Sequence, residues 1–116
     1  MKTKGEIEAA ISEAMVGFEI DCMGRGPKEA RSHIIEDLIL VRLKGVLTPA
    51  EQQLAKRADG VELIKKMRST LIESARVQLS TMISNVSGAK VVDILTDINT
   101  ASGERVFIFI LDANLG

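Results

Sequence analysis

The sequence predicts an α+β fold in which two β-hairpins form a four-stranded antiparallel sheet with helices packed on one face. Three observations predict it: apolar residues at helical spacing, two pairs of segments that alternate apolar and polar residues, and Gly or Pro between these segments. The predicted order is α-β-β-α-α-β-β. With 116 residues, of which 46% are hydrophobic, residues 1–116 are expected to form one domain around one core.

The first helix is predicted over about residues 4 to 22. Ile7, Ile11 and Phe18 recur at helical spacing, as in an amphipathic helix. Residues 24–27 (GRGP) follow, and glycine and proline commonly end helices. These glycines are not interpreted as a phosphate loop, because the C-terminal end of a helix dipole repels anions.

The first hairpin is predicted over residues 28–46, with a two-residue turn at Glu36 and Asp37. This turn pairs Ile35 with Leu38 and places Arg31 opposite Arg42. One face then collects small and aliphatic residues and the other is mixed, as expected of a half-buried hairpin. The apolar face comprises Ala30, Ser32, Ile34, Ile39, Val41 and Leu43.

Two helices are predicted in the middle of the chain. Residues 48–51 (TPAE) form a capping box, with Thr48 as the N-cap and Pro49 in the first turn, and the helix continues to about Ala58. Residues 59–62 (DGVE) predict a second capping box and therefore a break. The second helix ends at Gly88, and its length predicts that one end contacts something else. Its apolar residues are predicted to form one stripe of Val61, Ile64, Met67, Leu71, Ala75, Leu79, Met82 and Val86.

The second hairpin is predicted over residues 90–98 and 104–112. Its aliphatic face, with Val106, Ile108 and Ile110, is expected to lie under the helices. The opposite face would still carry too much apolar area to remain in water, which predicts a homodimer. The predicted interface residues are Leu38, Leu40, Leu95, Phe107 and Phe109.

Composition excludes several function classes. Fifteen basic residues balance sixteen acidic ones, and the chain has no Trp or Tyr, so no nucleic-acid partner is expected. The longest apolar run, residues 106–111 (VFIFIL), is too short to span a membrane. The N-terminal residues show no signal-peptide pattern and Cys22 is the only cysteine, so we expect a cytoplasmic location.

No nucleophile–base pair, metal-ligand set or cofactor loop can be assembled from these residues, so an enzyme is disfavoured and no metal or cofactor is expected. His33 lacks a second ligand at metal-binding spacing and is interpreted as a half-buried structural residue. Asp97 is interpreted as a cross-strand partner of Arg105 or as a hydrogen-bond acceptor near the turn.

Basic residues near the first hairpin are the best candidates for a binding site. The like-charged pair of Arg31 and Arg42 requires a negative neighbour, which could be Glu29, a carboxylate of a partner protein or a bound anion. Two functions follow: a protein-binding accessory protein, or a sensor of a small anion or nucleotide. The candidate ligand- or partner-binding residues are Arg25, Lys28, Arg31, His33, Arg42, Lys44, Asp97 and Arg105.

The ordered segments MGRGP, LVRLKGVLTPAE and GERV resemble the MpsC-like family of small bacterial proteins of unknown function, and the resemblance covers almost the whole chain. The family is named after a sodium-translocating, membrane-potential-generating system. The resemblance implies association with membrane-bound partners in ion or inorganic-carbon uptake. Because the chain has no spanning segment, it implies an accessory or regulatory protein. Among residues in the family motifs, Arg25, Arg42 and Asp97 lack a sufficient structural reason and are the predicted site residues.

Overall fold

The structure, a computed structural model, describes residues 2–116. Its elements are α1 (Lys4–Met23), β1 (Glu29–Ile35), β2 (Leu38–Lys44), α2 (Pro49–Leu54), α3 (Ala58–Ser87), β3 (Val91–Asn99) and β4 (Glu104–Leu111). The strands form one antiparallel sheet in the order β1-β2-β4-β3, and the buried side chains lie between this sheet and the helices. The predicted α+β class and the order of elements are confirmed.

Local capping signals set both ends of α1. The Thr3 hydroxyl accepts from the backbone N–H of Glu6 at 3.2 Å, and the Glu6 carboxylate accepts from the N–H of Thr3 at 3.1 Å. At the other end Gly24 adopts a φ of +83° and donates its N–H to the Ile20 carbonyl. A left-handed residue of this kind favours glycine, which explains why the helix ends here.

The first hairpin has the predicted register. Ile35 pairs with Leu38 across the turn, and Arg31 lies directly opposite Arg42. Ile39, Val41 and Leu43 of β2 are fully buried under the helices. The predicted two-residue turn at Glu36 and Asp37 therefore gave the correct register.

The middle of the chain contains two helices with a break, as predicted, but their boundaries differ. The Thr48 capping box is present, whereas α2 ends at Leu54 instead of about Ala58. The second capping box is wrong, because α3 begins at Ala58 without a side-chain cap. Gly60 permits the tight connection, since a Cβ there would lie 1.9 Å from the Leu54 carbonyl oxygen.

The buried stripe of α3 differs from the predicted one. Met67 is 42% exposed, whereas the neighbouring Arg68 is buried. The helix extends for about 45 Å at 1.5 Å per residue, close to the 47 Å long axis of the molecule. The buried positions recur every three or four residues and are Gly60, Ile64, Arg68, Ile72, Ala75, Leu79, Ile83 and Ser87.

The predicted face of β4 is wrong. Ile98 pairs with Arg105 and Ile94 pairs with Phe109, so the odd-numbered residues of β4 lie on the helix-covered face. Phe107 and Phe109 are fully buried in the core and cannot form the predicted interface. The predicted pairing of β3 with β4 differs from the observed one by one residue. Because side chains alternate along a strand, this difference exchanged the two faces of β4. Val106, Ile108 and Ile110 occupy the opposite face instead.

Candidate functional site

The face of the sheet away from the helices is not covered by any helix, and we call it the open face. Strand pairing arranges its residues in three rows that run across all four strands. The two central residues are aliphatic and half-buried in two of these rows, whereas the third has the exposed Arg42 beside Val106, and the ends of all three lie on the two edge strands. The rows are Arg31–Arg42–Val106–Asp97, His33–Leu40–Ile108–Leu95 and Ile35–Leu38–Ile110–Asp93.

Charge on the open face is separated between its two edges. The β1 edge carries His33 and Arg31, whose partner Glu29 lies two residues away on the same face of the strand. The β3 edge carries Asp93 and Asp97, and Leu95 between them is 52% exposed although it is a large apolar residue. The open face therefore has a largely apolar centre between one edge with a paired arginine and one edge with two aspartates.

The two arginines that oppose each other in the first hairpin already have carboxylate partners. Arg31 Nε lies 2.6 Å from Glu29, and Arg42 Nε lies 2.7 Å from Glu104. Hydrogen bonds from these arginines lower the pKa values of both carboxyl groups. Of the three negative neighbours considered for this pair, Glu29 is present, together with Glu104 on the adjacent strand. An anion is therefore not required to explain the pair.

Arg25 has a structural position, contrary to the expectation that no structural reason would account for it. Its guanidinium donates to the Leu47 carbonyl at 3.2 Å and to the Gly45 carbonyl at 3.5 Å. These bonds tie the loop after α1 to the loop after β2. The glycine-rich segment thus links two loops through the hydrogen bonds of Arg25.

The remaining predicted site residues are not brought together. Lys28 and Lys44 are exposed at the end of the first hairpin. His33 is exposed on the open face instead of half-buried, because β1 is an edge strand that nothing covers on this side. Asp97 and Arg105 occupy opposite faces, so they are not cross-strand partners. Asp97 instead accepts the N–H of Ile98 at 2.8 Å, the second of its two predicted roles.

Side chains cap both edges of the sheet. On β3, the N–H groups of Ile94 and Ile98 donate to aspartates at 2.8 Å, and Arg76 donates to the Ile94 carbonyl at 3.1 Å. On β1, the N–H of Ile34 donates to Glu8 of α1 at 2.7 Å. Capped edges resist the addition of another strand.

A group of charged residues that the sequence did not reveal lies inside the molecule. Glu19, Glu51, Arg68 and Arg105 are each buried, and we call them the buried charge cluster. Arg68 donates two hydrogen bonds of 2.8 Å to Glu51 and one of 3.0 Å to the Val46 carbonyl. Its Nη1 lies 3.5 Å from Glu19. The cluster therefore joins all three helices to the loop after β2.

The two glutamates of this cluster have opposite electrostatic behaviour. Burial raises the pKa of Glu19, and the attraction of Arg68 only partly offsets it. Burial also opposes ionisation of Glu51, but hydrogen bonds from Arg68 and Thr48 outweigh burial and lower its pKa. Glu51 thus both caps α2 and holds the Arg68 guanidinium.

Arg105 differs from Arg68 in its partners. Its Nε donates to the Thr96 hydroxyl at 3.2 Å, and its guanidinium lies 5.0 Å from the centre of the Phe107 ring. Burial is the main influence on Arg105 and lowers its pKa. Its side chain lines a cleft of about 100 Å³ between α3 and the end of β3.

Residues 2–116 contain no group of three or more His, Cys, Asp and Glu side chains placed to hold a metal ion. None of the helices in the same range combines the length and apolarity needed to cross a bilayer.

The fold and its uncovered apolar face define a small α+β protein with helices on one side of an antiparallel sheet. The chain belongs to the family described as "Na+-translocating membrane potential-generating system (MpsC)", which matches residues 3–113. The family resemblance seen in the sequence is confirmed.

Two similar proteins are known from Bacillus subtilis (strain 168), and both are described as uncharacterized. YbcI is 41% identical over 108 residues, which cover 93% of this chain and 87% of YbcI. YrhF is 26% identical over 96 residues, which cover 82% of this chain and 79% of YrhF. No solved structure matches the chain.

Proposed function

We propose that this chain is a cytoplasmic, non-enzymatic accessory or regulatory protein that works as a homodimer and binds a component of a membrane ion or inorganic-carbon uptake system. The observation that carries the proposal is the open face, which is largely apolar at its centre and carries Arg31 at one edge and two aspartates at the other. The second copy of the chain is the proposed occupant of this face. The family description supports the link to an ion-translocating system.

A two-fold axis parallel to the strands makes the open face complementary to itself. Such an axis places β1 of one copy over β3 of the other, because the strand order is reversed. Arg31 then faces Asp97 of the second copy, and Leu40 faces Ile108 of the second copy. Opposite charges meet at both edges and aliphatic side chains meet at the centre, as in isologous interfaces.

The capped sheet edges favour contact through the face. An edge-to-edge dimer would have to break the hydrogen bonds that Glu8, Asp93 and Asp97 make to backbone N–H groups. Face-to-face packing at a sheet separation of about 10 Å leaves these bonds intact.

The size of the open face suits a reversible dimer. Four strands about 4.8 Å apart and about 24 Å long present roughly 450 Å² of projected area per copy. Accessible area exceeds projected area, so the two copies together bury an area near the lower end of stable interfaces, about 1,200 Å². A dissociation constant in the micromolar range is expected for an interface of this size with few polar contacts.

The proposed docking surface for the membrane component lies at the end of the first hairpin. Lys28 and Lys44 are exposed there, and Lys44 lies at the end of β2, at the rim of the proposed dimer interface. Co-sedimentation with membrane vesicles from the bacterium that makes this protein should be saturable. It should be lost in the variant Lys28→Glu/Lys44→Glu. The control variant Lys90→Glu changes an exposed lysine elsewhere and should still bind. Equal binding by all three proteins would contradict this surface.

Sedimentation equilibrium tests the dimer directly. Ile108→Lys places a charge at the centre of the open face and should convert the protein to a monomer. Val77 is 81% exposed on α3, so Val77→Lys is a matched control that should remain dimeric. A wild-type protein that stays monomeric at high micromolar concentration would refute the dimer.

Charge reversal tests the direction of the axis. Arg31→Glu and Asp97→Arg should each weaken the dimer, because each places like charges across the interface. The double variant should regain much of the lost affinity, since the pair is restored with its charges exchanged. If the loss of dimerisation free energy in the double variant equals the sum of the losses in the two single variants, the axis is not parallel to the strands.

A further inference from the structure

Arg105 is a buried cation without a paired carboxylate. Its side chain is 3% exposed, and within residues 2–116 none of its nitrogens lies within 4.0 Å of an Asp or Glu oxygen. Its only hydrogen bond there runs from Nε to Thr96. A buried charge normally has a partner, because removal from water is costly. The two Nη groups are therefore available to a ligand.

The cleft beside Arg105 has the dimensions of one small ligand. It lies between α3 and the end of β3, and Lys65, Ser69, Thr96 and Asp97 contribute to its walls. Its volume is about 100 Å³, which corresponds to about three water molecules. Thr96 does not compete for the ligand, because its hydroxyl donates to the Val106 carbonyl at 2.7 Å and accepts from Arg105. Thr96 instead fixes the orientation of the guanidinium.

The free charges around this cleft are mainly positive. Lys65 has no ion pair within 4.0 Å in residues 2–116, and neither has Arg105. Arg68 also reaches the cleft, but its guanidinium is occupied by Glu51 and Glu19. Asp97 is the carboxylate in the wall, and it accepts the N–H of Ile98. Two unpaired cations thus face one carboxylate.

We propose that this cleft binds a small oxyanion, either free or as the terminal group of a larger molecule. The Nη groups of Arg105, the ammonium of Lys65 and the hydroxyl of Ser69 would donate to its oxygens. Guanidinium groups suit this ligand class because their donors form a planar fork. A wider groove that shares Lys65 with the cleft runs along the β3–β4 turn and gives room for an attached organic group. This site is separate from the arginines of the first hairpin, which have carboxylate partners.

Thermal-shift measurements with the full chain test the site. Phosphate, sulfate and bicarbonate are compared with chloride at equal ionic strength, and adenosine monophosphate represents an oxyanion on a larger molecule. At least one of these should raise the melting temperature of the wild type above the chloride value. A response to the free anions identifies a free oxyanion as the ligand, and a response to the nucleotide alone identifies a terminal phosphate group.

Substitutions show which residues are needed for the rise in melting temperature that the anion causes. Lys65→Ala should lower the affinity about tenfold, the usual loss for one hydrogen bond between charged groups. Lys66→Ala removes the adjacent exposed lysine, which does not line the cleft, and should bind as the wild type does. Arg105→Lys keeps a charge but loses the fork, and its own melting temperature should become insensitive to the anion. The proposal is overturned if no anion exceeds chloride with the wild type, or if both lysine variants lose the response equally.

Discussion

Glu51 and Glu19 face the same buried guanidinium, yet their replacement by glutamine is expected to have opposite effects on stability. Glu51 receives two hydrogen bonds of 2.8 Å from Arg68. Glutamine at position 51 would direct an amide N–H at a guanidinium N–H and would leave a buried charge partly unpaired. Hydrogen bonds to charged groups contribute about 1.5–3 kcal/mol, and breaking a buried ion pair costs about 3–5 kcal/mol. We therefore expect Glu51→Gln to lower the free energy of unfolding by about 2–4 kcal/mol.

Glu19→Gln should leave the protein at least as stable as the wild type at pH 7. Burial raises the pKa of Glu19 above its ordinary value of 4.5, so ionisation of Glu19 is less favourable in the folded protein than in the unfolded chain. Between 4.5 and the raised pKa, the folded protein holds a proton that the unfolded chain has released, so stability falls as the pH rises. Glutamine imitates the neutral form at every pH and removes this loss.

Glu51 has the opposite pH dependence. Its folded pKa lies below 4.5, so below that pH the unfolded chain binds a proton that the folded protein does not. The stability that Glu51 provides is therefore complete above 4.5 and is lost as the pH falls through its folded pKa. Glu51→Gln should abolish this acid-side loss.

Urea unfolding followed by far-ultraviolet circular dichroism measures these differences, since the chain has no Trp or Tyr to report by fluorescence. Glu104→Gln is the matched control, because it removes a carboxylate from an exposed pair with Arg42 and should unfold almost as the wild type does. Equal losses for the variants at positions 19 and 51, or a larger loss at position 19, would refute the electrostatic account of the cluster.

Four further variants test the packing by the same unfolding assay. Gly60→Ala should lose about 1–3 kcal/mol because its Cβ would overlap the backbone of Leu54, whereas Gly17→Ala has open space around it and should gain about 0.5–1 kcal/mol. A tolerated Gly60→Ala would contradict the close connection of α2 and α3. Phe107→Ala should lose about 3–5 kcal/mol as a core truncation, and a loss near zero would mean that its side chain is not buried. Thr48→Ala should lose about 1 kcal/mol with its capping bond, and an unchanged midpoint would show that the cap contributes little.

The parts of the fold that could be predicted are those with local signals. The spacing of Ile7, Ile11 and Phe18 defined α1, and Gly24 marked its end. The TPAE capping box located the start of α2, and the expected two-residue turn at Glu36 and Asp37 fixed the register of the first hairpin. Each of these signals depends on residues close together in the chain.

The second hairpin could not be oriented from the sequence because β4 has no polar residue between Val106 and Leu111 to mark its outer face. Both the odd-numbered and the even-numbered residues of this strand are apolar enough to be buried. The choice depends on the length of the β3–β4 connection, and Asn99 pairs with Glu104 to leave four residues between them. A one-residue difference in that pairing exchanges Phe107 and Ile108 between core and surface.

The buried charge cluster was invisible for a different reason. Arg68 stands in the run KKMR, which is typical of a solvated helix face, and Glu19 stands in an acidic helix. The carboxylates that Arg68 contacts come from α1 and α2, so only the tertiary arrangement shows that the charges meet. The position of Arg68 four residues after Ile64 and before Ile72, both buried, was the one available signal.

The absence of polar residues from β4, which prevented its orientation from the sequence, also bears on the proposed dimer. A strand that faces water on one side usually alternates apolar and polar residues, because water solvates the outer side chains. β4 is apolar on both faces, and its outer residues Val106, Ile108 and Ile110 lie beside Leu38 and Leu40 at the centre of the sheet. The helices cover only one of these faces. The composition of β4 is therefore that of a strand covered on both sides. The open face of a second copy, turned so that its β1 lies over β3 of the first copy, is the cover that this chain itself can provide.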